Sequence, residues 1–120
     1  MNNKEFGKRL EQRTKVFAIE IIRLSAKLPE TIEYRVIRYQ MTKSGSSVAA
    51  NYREANMSRS KVDFYHKIRV CVTEASETSL WLEIINELKD MEQGELNKIL
   101  AESDELLSIF ISISNNLRKN

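Results

Sequence analysis

With 120 residues, 42% of them hydrophobic, the chain can fill one core, which predicts a single domain over residues 1–120. Only three Gly and one Pro interrupt a composition rich in helix formers, so the expectation is an all-α fold of a few long helices. The lone Cys71 excludes an intrachain disulfide and a cysteine-rich zinc site, and the net charge of +2 by itself selects no partner.

The first predicted helix runs from about Asn3 to Leu28. Phe6, Leu10, Phe17, Ile21, Leu24 and Leu28 form one apolar stripe, and Val16, Ile19 and Ile22 widen it as a bundle helix requires. Pro29 ends the run. The second predicted helix, from about Thr31 to Asn56, places Ile32, Val36, Ile37, Tyr39 and Met41 toward the core in its first half. Its second half turns small and polar through Ser44, Gly45, Ser46, Ser47, Val48, Ala49, Ala50 and Asn51. A mid-helix Gly costs roughly 1 kcal/mol relative to Ala, so Gly45 points to a close contact or, failing that, a kink. A tight approach by another backbone is the expected use of this segment.

Ser58 or Ser60 can cap a third helix, from about Lys61 to Lys89, with Asp63 three residues after Ser60. Phe64, Ile68, Cys71, Ala75, Thr78, Leu82 and Ile85 line it, with Trp81, Ile84 and Leu88 beside them, and its length comes to roughly 40 Å. A loop over Asp90 to Glu95, loosened by Gly94, then leads to a fourth helix from Leu96 to about Leu117, built on Leu96, Leu100, Leu107, Phe110 and Leu117 with Ile99, Leu106 and Ile113 alongside. Short connections force consecutive helices to alternate in direction. The predicted architecture is therefore an antiparallel up-down-up-down four-helix bundle.

Charge is distributed unevenly along the chain. Residues 1–70 hold 15 Lys and Arg against 7 Asp and Glu, net +8, whereas residues 71–120 hold 4 against 10, net −6. That polarity has two readings: a basic surface for phosphate backbones, or complementary faces that hold helices or subunits together. The basic candidates for nucleic acid are Arg9, Arg13, Arg23 and Lys27 on the first helix, Arg35, Arg38 and Arg53 on the second, and Arg59 and Lys61 at the turn into the third. Gln40, Ser44, Ser47, Asn51 and Glu54 fall on one side of the second helix as a polar seam. With Val48 and Tyr52 they are the candidates for a contact between helices or subunits. Tyr52, between Asn51 and Arg53, is also the aromatic left open for base stacking.

Catalysis finds little support in these residues. His66 is the one histidine, so the two Glu-x-x-His elements of a di-metal bundle cannot be assembled, and no Ser-His-Asp set or phosphate-binding glycine loop is present. Cys71 sits on an apolar line, the setting of an inert packing thiol. No enzyme, metal, cofactor or small-molecule substrate is expected. The most apolar stretch, Leu106 to Ile113, is too short to span a bilayer, and charged Lys4, Glu5, Lys8 and Arg9 break any leader-like run; a cytoplasmic location is expected.

The order Gln40, Met41, Ser44, then Ser47 through Ala55, followed by Ser58 to Lys61, Asp63, Phe64, Lys67, Ile68, Glu74 to Thr78 and Trp81 to Glu83, resembles the bacterial four helix bundle family, also called large-subunit (23S) ribosomal RNA intervening-sequence proteins. The Leu28–Pro29 break matches that family's first turn. The resemblance implies a subunit of a ring-like homopentamer in the bacterial cytoplasm, with RNA or a ribonucleoprotein as the leading partner, since some members are encoded within ribosomal RNA insertions. A related branch serves diversity-generating retroelements. The family supplies no catalytic residues to carry over, and this chain departs from its strongly basic members in the acidic last fifty residues. Two readings stand: an RNA-binding homo-oligomer that uses the basic faces of its first two helices, or a protein-assembly module without nucleic acid.

Overall fold

Proline disfavours the α conformation at the residue before it, so Pro29 keeps the first helix from continuing through Leu28. In the computed structural model, which describes residues 3–119, the helices are α1 (Asn3–Ser25), α2 (Ile32–Asn56), α3 (Lys61–Leu88) and α4 (Gln93–Lys119). The first helix thus stops at Ser25, three residues short of the sequence expectation. Lys27 and Leu28 bend back in tight i→i−3 bonds to Leu24 and Ser25. Thr31 then starts α2 as its N-cap, accepting from the Tyr34 amide at 3.1 Å.

Of the two serines before α3, Ser60 is the cap: extended at φ −141°, it accepts from the Asp63 amide at 3.1 Å. Lys89 closes α3 in the left-handed conformation, φ 59°. The fourth helix begins three residues earlier than the apolar pattern indicates. Glu92 accounts for it: its carboxylate accepts from the Gly94 and Glu95 amides at 2.6 and 3.1 Å, so Gly94 lies in the first turn and not in the loop. Those amides hold the Glu92 pKa below its ordinary value.

Each helix packs on its sequence neighbours and α1 closes sparsely on α4, while the diagonal pairs stay apart, the four-helix up-down-up-down arrangement. The bundle measures 46 × 25 × 21 Å. Phe17, Ile21 and Leu24 of α1 meet Met41 and Val48 of α2, Ile68, Leu82 and Ile85 of α3 and Leu106 and Phe110 of α4 in one core. Buried hydroxyls are satisfied locally: Ser44 accepts from Thr78 at 2.8 Å, Ser79 lies 2.7 Å from Ser103 while donating to Asp104, and Thr14 donates to the Glu11 carbonyl.

Parts of the expected core face outward, Phe6 and Leu88 among them. Ile32, Val36 and Tyr39 are 70%, 55% and 63% exposed, and Val16, Ile19 and Ile22 are exposed as well. The cause is geometric. The outer arc of α1 has no helix against it, and the start of α2 reaches the rest of the bundle through Tyr34, Ile37 and Met41 instead.

Candidate nucleic-acid interface

Four of the nine basic candidates are engaged within the chain. Arg13 grips Glu102 with both arms of its guanidinium, Nε and Nη2 each at 2.7 Å, and reaches Glu105 at 3.0 Å. The Glu102 hydrogen bond raises the Arg13 pKa further above its ordinary value, against a smaller opposing effect of burial. Lys27 pairs with Glu95 at 2.7 Å and Arg53 with Glu11 at 3.6 Å. Arg38 meets no carboxylate among the described residues. Its guanidinium donates to the carbonyls of Ser25, Leu28 and Pro29 at 3.0–3.1 Å, satisfying backbone acceptors where α1 ends.

The remaining five, Arg9, Arg23, Arg35, Arg59 and Lys61, are exposed and form no ion pair among the described residues. They form no single surface: Arg9, Arg59 and Lys61 lie toward one end of the bundle, and Arg23 and Arg35 toward the other. Arg9 and Arg35 lie near opposite ends of the antiparallel α1–α2 pair, about 30 Å apart at 1.5 Å per residue. The basic first half of the chain is thus used partly to hold the acidic second half: Arg13 of α1 and Lys27 of the turn after it both reach carboxylates of α4, and α1 and α4 are the pair with the sparsest packing.

The polar seam lies against helices of its own chain. Ser44 is buried and bonded to Thr78, Glu54 meets Lys67 at 3.0 Å, and Asn51 turns back to the Ser47 carbonyl at 2.9 Å. Gln40 and Ser47 are half-buried. Val48 and Tyr52 belong to the core, where the Tyr52 ring lies 5.5 Å from that of Phe110, so Tyr52 is closed to a nucleic-acid base. Gly45 does admit a close neighbour, but it is the Ile21 side chain of α1 and not a second backbone.

Outside this seam, α1 and α2 form an open groove of about 540 Å³, in which Ile19 and Ile22 face Ala49, Ala50 and Met57 while Lys15 and Arg53 stand at its edges. The sequence carried a signal for it in the excess width of the α1 stripe. Asn56 was not singled out, though its amide bonds the Gly7 carbonyl and Glu11 across the α1–α2 interface.

His66 is exposed, and burial pushes the Cys71 thiol up to about 12. Among the described residues no three His, Cys, Asp or Glu gather as a metal site, and no helix is long and apolar enough to cross a membrane.

These features define an antiparallel helical bundle whose open surfaces offer cations and apolar side chains. More particularly, residues 9–112 match the family model of the 23S rRNA-intervening sequence protein, and the chain belongs to that family. It is similar to a Bacteroides thetaiotaomicron protein of unknown function from the S23 ribosomal protein family, known from a crystal structure. The two share 31% identity at a TM-score of 0.79, over 87% of this chain and 96% of that one. Among curated proteins none matches.

Proposed function

We propose that this protein is a non-enzymatic, cytoplasmic homo-oligomer that binds RNA or a ribonucleoprotein, its α1–α2 groove seating a second copy of the chain. The observation that carries the reading is the uncovered apolar lining of that groove, with Ile19 and Ile22 exposed beside Ala49 and Ala50. Charge favours a like chain as occupant. Residues 1–56, holding α1 and α2, carry 11 basic against 6 acidic groups, net +5; residues 57–120 carry 8 against 11, net −3. A contact between one copy's α1–α2 face and the next copy's α3–α4 face, where exposed Leu80 is flanked by Glu83 and Asp104, joins unlike charges around apolar centres. Such head-to-tail contacts close into a ring when the rotation from copy to copy divides a full turn. Five subunits is the number the family resemblance supports.

Assembly would repeat Arg9, Arg23, Arg35, Arg59 and Lys61 around the ring and so collect unpaired cations that are scattered on one subunit. The family's association with ribosomal RNA makes RNA the polyanion to test. The second reading, assembly without nucleic acid, draws on a specific observation: Arg13, Lys27, Arg38 and Arg53 already have partners within the chain.

Sedimentation velocity at micromolar protein, with an electrophoretic shift against structured RNA over a salt series, tests both parts. The expected result is an oligomer that Ile19→Glu dissociates, with RNA affinity falling steeply as salt rises. A wild-type monomer overturns the assembly, and an absent or salt-insensitive shift overturns the RNA contact.

A further inference from the structure

Taken along the bundle axis and not by helix pair, the charges separate more sharply. The half of the bundle made by residues 3–14, 46–72 and 108–119 carries 11 Lys and Arg against 4 Asp and Glu, net +7. The half made by residues 15–45 and 73–107 carries 8 against 13, net −5. The basic half ends where α1 and α3 begin and α2 and α4 finish. Lys4, Lys8, Arg9, Arg59, Lys61 and Arg118 all lie there without an ion pair among the described residues.

At this end α3 and α4 part to form a cleft of about 370 Å³, lined by Lys61, Val62, Tyr65, Leu117 and Arg118. Tyr65 is one helical turn beyond Lys61, so aromatic ring and cation share a face of α3, and Arg118 approaches from the antiparallel α4. Leu117 supplies apolar lining, and exposed Val62 stands at the rim. Leu117 also borders a second opening, of about 480 Å³, in which Phe6 and Phe64 continue the aromatic surface.

We infer that this end of the bundle is a contact site for single-stranded RNA, in which a base stacks on Tyr65 while Lys61 and Arg118 take the flanking phosphates. The inference rests on the RNA reading above but moves the contact from the faces of α1 and α2 to the tip. Unpaired bases fit because an aromatic ring between two cations can stack only on a base whose face is free, whereas a duplex presents its phosphates and hides those faces. The opposite end does not offer the same setting. Tyr39 there is exposed and has Lys43 6.0 Å from its ring centre, but it stands in the half of the bundle with net charge −5.

Fluorescence anisotropy with a labelled 20-nucleotide oligouridine and a 20-base-pair RNA duplex, on the full chain and its variants, tests the site. Tyr65→Ala is expected to weaken oligouridine binding about tenfold, and Tyr65→Phe to retain it. Lys61→Gln with Arg118→Gln should flatten the salt dependence of log K by about 1.4, at about 0.7 per phosphate contact on a single strand. Tyr39→Ala should leave binding unchanged. Circular dichroism on each variant excludes unfolding as the cause, and the glutamine pair carries the test if Tyr65→Ala does not fold. If wild type binds oligouridine and both tip variants bind equally well, the tip is overturned while the RNA reading stands. If wild type binds neither RNA at 50 mM salt, the RNA reading fails and the tip with it. Preference for phosphatidylglycerol vesicles over RNA also overturns the proposal.

Discussion

Gly45 and Ile21 meet so closely that a Cβ built on Gly45 would stand 2.9 Å from Ile21 Cγ2 and 3.1 Å from Cγ1. The atoms in the way lie near the stiff root of a β-branched side chain that is fully buried, so it cannot swing aside. Gly45→Ala therefore sets a helix-propensity gain of about 1 kcal/mol against an overpacking loss of about 1–3 kcal/mol. The expected net result is destabilisation by about 1 kcal/mol. In an Ile21→Ala background the overlap is gone, and the same Gly45→Ala change should stabilise by about 1 kcal/mol. Urea unfolding of the four proteins at one protein concentration measures this coupling; a Gly45→Ala gain on the native background would falsify the steric account.

Arg13 should matter more to the seam between α1 and α4 than to the bundle as a whole. That seam is sparsely packed, and the Glu102 side chain facing it is only 24% exposed. With Arg13 itself about a third exposed, Arg13→Ala is expected to lower stability by about 1 kcal/mol, and Arg13→Lys by somewhat less, because lysine keeps the charge but not the two-armed grip. Hydrogen exchange should quicken first in the amides of α1 that face α4. Raising NaCl from 0.05 to 0.5 M should shrink the difference between wild type and Arg13→Ala. Uniform loss of protection across all four helices would rule out a local role.

Alkali should unfold this protein in a defined window. Burial raises the Cys71 thiol from 9.0 to about 12, and burial together with the hydrogen bond to Asp90 raises the Tyr34 hydroxyl from 10.0 to about 12. Between the unfolded and folded values the native state holds protons that the unfolded state has released. Stability is therefore fully present below about pH 9 and declines toward pH 12, by up to about 1.4 kcal/mol per pH unit for each group. Unfolding midpoints from pH 8 to 11 should fall for wild type and fall less steeply between pH 9 and 10 for Cys71→Ala. Equal slopes would show that Cys71 ionises normally in the native state. In the native protein at pH 8 the thiol should also resist iodoacetamide until it unfolds.

Much of the architecture was legible because helix periodicity and helix ends are local chemistry. The four stripes, the break at Leu28–Pro29 and the Ser60 cap each need only a few neighbouring residues. The start of α4 was missed because its signal is the Glu92 carboxylate reaching two amides beyond it, while the visible apolar residues begin only at Leu96. Ile32, Val36 and Tyr39 were placed in the core because hydrophobicity alone does not tell which arc of a helix has a neighbour. The candidate site was less legible still. A sequence shows that Arg13 and Arg53 are cations but not that Glu102 and Glu11 face them. It also singled out Tyr52 as the aromatic open for stacking, although the fold buries it against Phe110 and leaves Tyr65 beside Lys61 and Arg118.

Arg38 illustrates how a residue that reads as a phosphate ligand can serve the backbone instead. In the turn after α1 one guanidinium reaches the carbonyls of Ser25, Leu28 and Pro29, of which Ser25 also accepts from the Leu28 amide. Removing it strands partly buried acceptors, so Arg38→Ala should lower stability by about 2 kcal/mol. Arg38→Lys should rescue little, because a single ammonium on a flexible stem does not reproduce the planar fork. Arg38→Ala should leave RNA affinity unchanged once the protein is folded, whereas loss of a phosphate contact would reduce the salt dependence of log K by about 0.7 on a single strand. Urea unfolding and the oligouridine titration, run on the same two variants, separate these roles. Normal stability with weakened, less salt-dependent binding would return Arg38 to the nucleic-acid surface.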